Sequence, residues 1–334
     1  MTEFTLRRIA VVGFGEAGSI LGEDLAAADR EVCTYDILLD APATRGPILE
    51  KARRAGVQTA DSLNAAIKDA DLVISAVTAA SSAAVAQAAG KAMRAGQIFL
   101  DINSCSPATK RANAEAVQSS GADYVEAAVM APVPPQRLKV PMLLGGHRAS
   151  DLAPVLRALG MNATFIAAEI GVASAVKMCR SVVIKGLEAL AVESMLAARR
   201  FGAEREVLAS LQGTFPQMGW QDKLPDHLIS RVAEHGRRRA AEMREVAHTL
   251  EDVGIEPTMA LATAAREDAL IDAMAAHGLS FPHGQPFSWR WLADSLAHPG
   301  AEPATERPAR EPPAGAAAVA PDSSTAPRAS DSTR

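Results

Sequence analysis

The feature that most limits what this chain can fold into lies near its start, in RRIAVVGFGEAGSILGEDLAA. A short β-branched run leads directly into Gly13-Phe14-Gly15-Glu16-Ala17-Gly18, and a helix-forming stretch follows. Gly13 permits a tight turn, Gly15 lets a pyrophosphate approach the backbone, and Gly18 allows the helix to pack closely on the strand. The first turn of the helix adds unpaired N–H groups and the positive end of a dipole, which suits an anion. A GxGxxG alone is a weak signal. Between a strand and a helix it points to a dinucleotide-binding βαβ unit built on these six residues.

The pattern continues. From residue 9 to about 165, β-branched runs (IAVVG, EVCTYD, DLVISAV, GQIFLDI, ADYVEAA, PMLLGG, ATFIAA) alternate with Ala-rich amphipathic stretches such as SLNAAIKDA and SPATKRANAEAVQSS. That alternation predicts an α/β fold, a Rossmann-type, doubly wound and mostly parallel sheet. Ser106 before Pro107 reads as an N-cap and first helical turn, and Asp61-Ser62 also precedes a helix. After Gly171 the strand pattern stops. Residues 172–200 hold strong helix formers and no proline, with Gly186 the only internal weak point. They predict an interdomain helix about 40 Å long, with further helices over 203–211, 228–253 and 258–276. The expected division is a dinucleotide-binding Rossmann domain at 1–170, an all-α substrate and dimerisation domain at 171–297, and a disordered tail at 298–334. The tail carries seven of the 20 prolines and no aromatic residue, so it has little apolar surface to offset the entropy of ordering.

Composition excludes several function classes. A net charge of -5 and 4% aromatic residues, with no basic stripe, argue against nucleic acid or an anionic membrane as partner. Three scattered cysteines, Cys33, Cys105 and Cys179, provide neither a disulfide framework nor a zinc ribbon. The seven histidines show no metal-ligand spacing, so no metal site is expected; His147 reads as a loop residue. There is no run of about 20 apolar residues and no signal-peptide pattern at the start, and the expected location is the cytoplasm.

Two further residues stand out. Asp36 ends the run EVCTYD, 18 residues beyond Gly18, where an acid bonds the ribose hydroxyls of NAD; a plain turn residue is the alternative. Ile37 and Leu38 follow it, which favours NAD, while Arg45 in the next loop leaves NADP open. On the predicted long helix, Lys177, Ser181 and Lys185 fall at i, i+4 and i+8, a polar stripe among apolar neighbours. A Lys held there loses basicity through desolvation and suits proton transfer near neutrality. The pattern alone equally allows the side chain to snorkel to solvent. The Arg237–Arg239 run reads as a solvated helical face with i,i+4 pairing to Glu242 and Glu245. Trp220 reads as a packing anchor, and Cys105 and Cys179 as small packed residues.

The glycine turn, the DINSCSP segment and the GVASAVK segment, in this order and spacing, resemble the β-hydroxyacid dehydrogenase superfamily. Its members include 3-hydroxyisobutyrate dehydrogenase, tartronate semialdehyde reductase and 6-phosphogluconate dehydrogenase. The resemblance covers residues 8 to about 200. The stretch HGRRRAAEMREVAHTLEDVGIEPTM looks like a bacterial branch whose helical C-terminal domain has no assigned function. The resemblance implies that Lys177 is the acid/base. It also implies that Val77 and Thr78 lie beside the cofactor, and that Asn103 and Ser104 contact substrate, together with Val129, Met130 and Ser181. The chain departs from the family where V-S-G-G becomes Val129-Met130-Ala131-Pro132, and where K-x-x-N-N becomes Lys177-Met178-Cys179-Arg180-Ser181. Both changes imply a pocket more apolar than the family's usual one.

The expected function is an NAD(P)-dependent dehydrogenase of a small hydroxy acid, working as a homodimer. Two alternatives are an imine reductase of the same fold, whose members generally lack this Lys, and a dinucleotide-binding sensor without catalysis.

Overall fold

Eight strands form one sheet in the computed structural model of the chain, which describes residues 6–297. The tail expected to be disordered falls outside the described residues. In chain order, β1 (Arg8–Val12), α1 (Glu16–Ala27), β2 (Glu31–Tyr35), α2 (Pro42–Arg54), β3 (Gln58–Thr59), α3 (Leu63–Ile67), β4 (Leu72–Ser75) and α4 (Ala79–Ala92) make the first half. Then come β5 (Ile98–Asp101), α5 (Pro107–Gln118), β6 (Asp123–Val129), a single turn α6 (Val133–Gln136), β7 (Met142–Gly145), α7 (Ala149–Ala158) and β8 (Ala163–Ala167). The strand order is β3-β2-β1-β4-β5-β6-β7-β8. Neighbours are parallel except β6 and β7, so the last two strands run against the rest.

Burial explains this arrangement. Every residue of β4 and β5 is buried, as expected of parallel strands covered on both faces. Alternate residues of β1 serve two cores: Ile9 and Val11 join Leu21, Leu72 and Leu100 on one face, while Ala10 and Val12 join Val73, Phe99 and Tyr124 on the other. The chain order reverses between β1 and β4, and ligands of such sheets bind beyond the strand ends at that crevice. The anticipated caps are present: Ser62 Oγ accepts from Ala65 N–H and Ser106 Oγ from Thr109 N–H. β3 was not foreseen, because its two residues are both exposed and carry no hydrophobic alternation.

Beyond the sheet the chain is helical: α8 (Val172–Phe201), α9 (Glu204–Thr214), α10 (Leu224–Glu251), α11 (Thr258–Ala276) and α12 (Trp289–Ala297). α8 starts and stops at glycines with φ of 107° and 67°, a conformation that other residues adopt only under strain. α10 and α11 lie along each other and on α8. Gly236 makes that approach possible, since a Cβ there would fall 2.6 Å from Ile271 Cγ1. Trp220 packs in this helical core beside Trp289, Leu292 and Leu296, as expected of an anchor. α12, absent from the sequence reading, completes the same core through its i, i+3, i+4 and i+7 positions. No described helix is long and apolar enough to cross a membrane.

Candidate active site

The glycine turn lies at the crevice. Gly13 has φ of 88°, and a Cβ on it would fall 2.6 Å from Ala76 O and 2.7 Å from Val77 Cγ1. A Cβ on Gly18 would fall 2.0 Å from Gly13 O, so the turn and helix can pack this closely only with glycine there. At Gly15 a Cβ would meet nothing within 4 Å; it would project into open space above the first turn of α1. Gly15 caps that helix without a side-chain bond, which leaves N–H groups of the first turn for a ligand. Glu16 is exposed, Ala17 partly buried. The Phe14 ring is buried, while its N–H donates to Asp36 Oδ2 at 2.6 Å. The other Asp36 oxygen accepts from Leu38 N–H at 2.9 Å, so the carboxylate is held at the end of β2, beside the turn. The open space over Gly15, the free helix end and this anchored acid fit the pyrophosphate and ribose of a dinucleotide. Arg45 lies on α2 rather than in a loop, and its Nε donates to Leu39 O at 2.5 Å.

Two buried carboxylates, in register on β5 and β6, build the remainder of the site. Asp101 accepts from Lys110 Nζ at 2.8 Å, Tyr124 Oη at 2.7 Å, Asn113 Nδ2 at 3.1 Å and Asn103 N–H at 2.9 Å. Burial pushes its pKa up, but the Lys110 charge and these bonds outweigh burial and hold it below the usual carboxylate range. Glu126 reaches across to the start of α8, where Oε1 accepts from Gly171 N–H at 2.6 Å and Ala173 N–H at 3.1 Å, and Oε2 from Ser174 N–H at 3.3 Å. A carboxylate at a helix N-terminus satisfies orphan donors and complements the dipole. Gly145 makes room for it, since a Cβ there would fall 2.6 Å from Glu126 Oε1.

Lys177 stands just beyond that capped turn. Its side chain is partly accessible, and the amine makes no hydrogen bond or ion pair among the described residues. Desolvation is the largest influence on it; the charges of Lys110 and Lys185 add to the effect, Glu242 opposes it, and the amine titrates at about 8. Further along the stripe, Lys185 is buried and bonded to Glu242 of α10 at 2.6 Å. Ser181 and Ser104 are partly buried, and neither hydroxyl is engaged among the described residues.

The other anticipated residues divide. Asn103 is buried: Oδ1 accepts from Val77 N–H at 2.7 Å, and Nδ2 donates to Ser75 Oγ at 2.9 Å and Ser82 Oγ at 3.3 Å. Both amide hydrogens are taken, so the expected substrate contact narrows to one Oδ1 lone pair, and the side chain's evident work is to tie the loop after β4 to the loop after β5. Thr78 is exposed at the start of α4. Val129 packs against the sheet core, and Met130 follows it, partly buried, with its N–H on Pro141 O at 2.9 Å.

Two of the three arginines of the run, Arg237 and Arg238, are exposed as expected, but Arg239 is not, and the pairing does not run along the helix. Arg239 is buried and pairs with Glu188 of α8, while Arg237 pairs with Asp268 and Asp272 of α11. Partners come from neighbouring helices because α10 is packed on two sides. Cys105 is buried as anticipated, whereas Cys179 is exposed.

Residues 8–167 match the model of the NAD binding domain of 6-phosphogluconate dehydrogenase, and residues 198–278 match a domain of unknown function, DUF1932. A solved structure of a conserved hypothetical protein from Sinorhizobium meliloti 1021 is 38% identical. It covers 88% of this chain and 97% of that one, with a TM-score of 0.71. A conserved protein of unknown function, noted for structural similarity with 3-hydroxyacid dehydrogenases, is 32% identical over 80% of this chain and 98% of its own, with a TM-score of 0.64. The chain belongs to the β-hydroxyacid dehydrogenase superfamily. The Mycobacterium tuberculosis 3-hydroxyisobutyrate dehydrogenase, solved with L-serine, shares the fold at 16% identity, with a TM-score of 0.67 over 88% of this chain and 100% of that one. Within the superfamily, the matched NAD-binding domain makes a nicotinamide dinucleotide the cofactor of the glycine turn.

The roles of Asp101, Glu126 and Glu242 in this superfamily member are not legible in the sequence, where Asp101 appears only within the DINSCSP segment and Glu242 only as a surface partner of the arginine run. Each is a single acid in an otherwise apolar or charged stretch, and its partners lie on other elements. The only local hint was a Lys and an Asn, Lys110 and Asn113, spaced to share one face of α5.

Proposed function

We propose that the protein is an NAD-dependent dehydrogenase that reversibly oxidises the hydroxyl of a small 3-hydroxy-acid-like molecule, with Lys177 as general acid/base. One observation carries this: an amine with no internal partner, titrating near neutrality, stands on the helix whose start is fastened to the dinucleotide-binding sheet. The dinucleotide, when bound, supplies the redox chemistry. In the oxidising direction neutral Lys177 takes the proton of the substrate hydroxyl, and in the reducing direction the ammonium returns it. Ser104 and Ser181 offer free hydroxyls to substrate oxygen atoms. Asn103 holds the Val77 loop in place and has one lone pair to give. Val129 and Met130 form the less polar wall, which favours substrates with an apolar substituent. Asp36, with Ile37 and Leu38 beside it and Arg45 already bonded to Leu39 O, supports NAD over NADP.

Lys177→Ala should lower turnover of a responsive hydroxy acid by about 10²- to 10⁴-fold and leave NAD binding, measured by titration, nearly intact. Full activity in that variant would remove the mechanism.

A further inference from the structure

The loop between β5 and α5 carries Ser104, and its two ends are fastened to different parts of the molecule. The first residues are tied to the sheet. Ile102 N–H donates to Ser75 O at 3.1 Å and Asn103 N–H to Asp101 Oδ1 at 2.9 Å, while Asn103 Oδ1 accepts from Val77 N–H at 2.7 Å. The last residue is tied to the helical region: Ser106 N–H donates to Glu245 Oε2 of α10 at 3.0 Å, across 139 residues of chain. Ser106 is buried, so its N–H needs an acceptor. Glu245 is that acceptor.

Glu245 has no competing partner. It makes no ion pair among the described residues, and Arg244 beside it turns instead to Asp268 of α11. Its level on α8 follows from the pairs between the two helices. Glu188 meets Arg239 and Lys185 meets Glu242, so α10 runs antiparallel to α8, and Met178 and Val182 share a cluster with Met243 and Val246. Three residues beyond Glu242, Glu245 is therefore level with Val182, next to Ser181 and about 7.5 Å along α8 from Lys177. The bond to Ser106 joins this stretch of helical wall to the loop that carries Ser104. It mirrors the Glu126 contact, in which an acid of the sheet takes N–H groups at the start of α8. Between the two contacts α5 and α8 begin in close approach, since a Cβ on Gly171 would fall 3.3 Å from Pro107 Cβ.

We propose that Glu245 is a positioning residue for the reaction: from α10 it holds the Ser106 end of the loop, so that Ser104 is kept facing Lys177 and Ser181 across the site. With Asn103 fixed to the sheet and Ser106 to α10, only Ser104 and Cys105 lie between, and Cys105 N–H is itself bonded to Asn103 O at 3.2 Å. Without Glu245 the loop is held from one end and a buried N–H loses its acceptor. The Ser104 hydroxyl is then free to drift, and small displacements of a group that orients substrate are costly to rate. Glu245 touches neither substrate nor cofactor and acts through Ser104. The inference rests on the dehydrogenase reading of Lys177 and Ser104.

The test combines hydrogen exchange with kinetics on a panel of 3-hydroxy acids. Exchange of Ser106 N–H in the NADH-bound protein, followed in peptides that include it, should be about 10- to 100-fold faster in Glu245→Ala. It should return towards wild type in Glu245→Gln, whose amide oxygen still accepts. For a hydroxy acid that wild type oxidises, kcat/KM should fall about 10- to 100-fold in Glu245→Ala and be mostly regained in Glu245→Gln, with NADH affinity the same in all three. Melting temperature is measured on each, and Glu245→Met, similar in bulk but without an oxygen, takes the place of Glu245→Ala if that variant melts early. In a Ser104→Ala background the loss of Glu245 should have little further effect on kcat/KM. Losses that multiply in the double variant would overturn the proposal. So would unchanged exchange in Glu245→Ala, or faster exchange with unchanged kcat/KM, which would make the contact structural only. The exchange readout needs no turnover. A Ser106 N–H freed by Glu245→Ala, in a protein that oxidises no member of the panel, would sink the dehydrogenase reading and leave the loop attachment standing; turnover that needs Lys177 and ignores Glu245 would do the reverse.

Discussion

An ammonium with two other lysines near it and little water around it gives up its proton early, and Lys177 is in that position. For alcohol oxidation the amine must be neutral, so kcat/KM should rise with pH through about 8 and then level. For carbonyl reduction it should fall over the same range. Glu242 is the acid that pulls the pKa upward, so Glu242→Gln should move both inflections below the wild-type value; an unmoved profile would assign the inflection to another group. A second titrating residue bears on stability. Glu267 is fully buried, neither oxygen has a hydrogen-bond partner, and Arg239 Nε is 3.7 Å away. Burial pushes its carboxyl up to about 8 against the pull of Arg239 and Lys185. Between the usual carboxylate range and that value, the folded protein keeps a proton that the unfolded chain has released, so stability must fall as pH rises through this window. Glu267→Gln removes that dependence. Melting curves from about pH 5 to about pH 9 should descend less steeply for the variant, and it should be the more stable form at the alkaline end.

At the scale of elements, the placement of α8 decides whether Lys177 reaches the site at all, and Glu126 fixes that placement. Glu126→Ala leaves three N–H groups of the first turn without their acceptor and should cost about 3 kcal/mol in chemical denaturation, with activity lost in the same variant. Glu126→Gln, which keeps one acceptor oxygen, should lose less. Equal stability of wild type and Glu126→Ala would mean that the helix start is held by packing instead. This residue also marks where the sequence stopped being readable. The glycine turn, the Ser106-Pro107 cap and the limits of α8 are local signals, since each depends on residues within one turn of one another, and each is found where expected. Glu126 sits inside ADYVEAA as a lone polar residue of a strand, and its partners are 45 to 48 residues away. Arg239 was misread for the same reason, because its partner Glu188 lies on another helix 51 residues back. Local pattern carries the elements and the cofactor turn, whereas buried charge is intelligible only once its distant neighbours are known.

For the molecule as a whole, the opposite side of α8 is the unexplained surface. Val176, Val183, Leu190 and Ala197 follow one another at seven-residue steps, all exposed, with Val183 62% and Leu190 57% accessible. They lie about a quarter-turn or more around the helix from the inward-facing Lys177 stripe, since a step of one residue turns the axis by about 100°. A seven-residue apolar repeat is the seam by which a helix meets another helix, and a patch that pairs with its own copy closes into a twofold dimer without leaving a free end. A homodimer built on α8 is therefore the expected outcome. Light scattering on the size-fractionated protein should give twice the chain mass. Val183→Glu, which places a charge on the seam and away from the Lys177 face, should give the single-chain mass with a folded spectrum. If wild type is already a monomer at micromolar concentration, the stripe is not a self-association surface. If Val183→Glu dissociates the protein and activity falls with it, the partner helix is needed to hold α8, and with it the acid/base, in its working position.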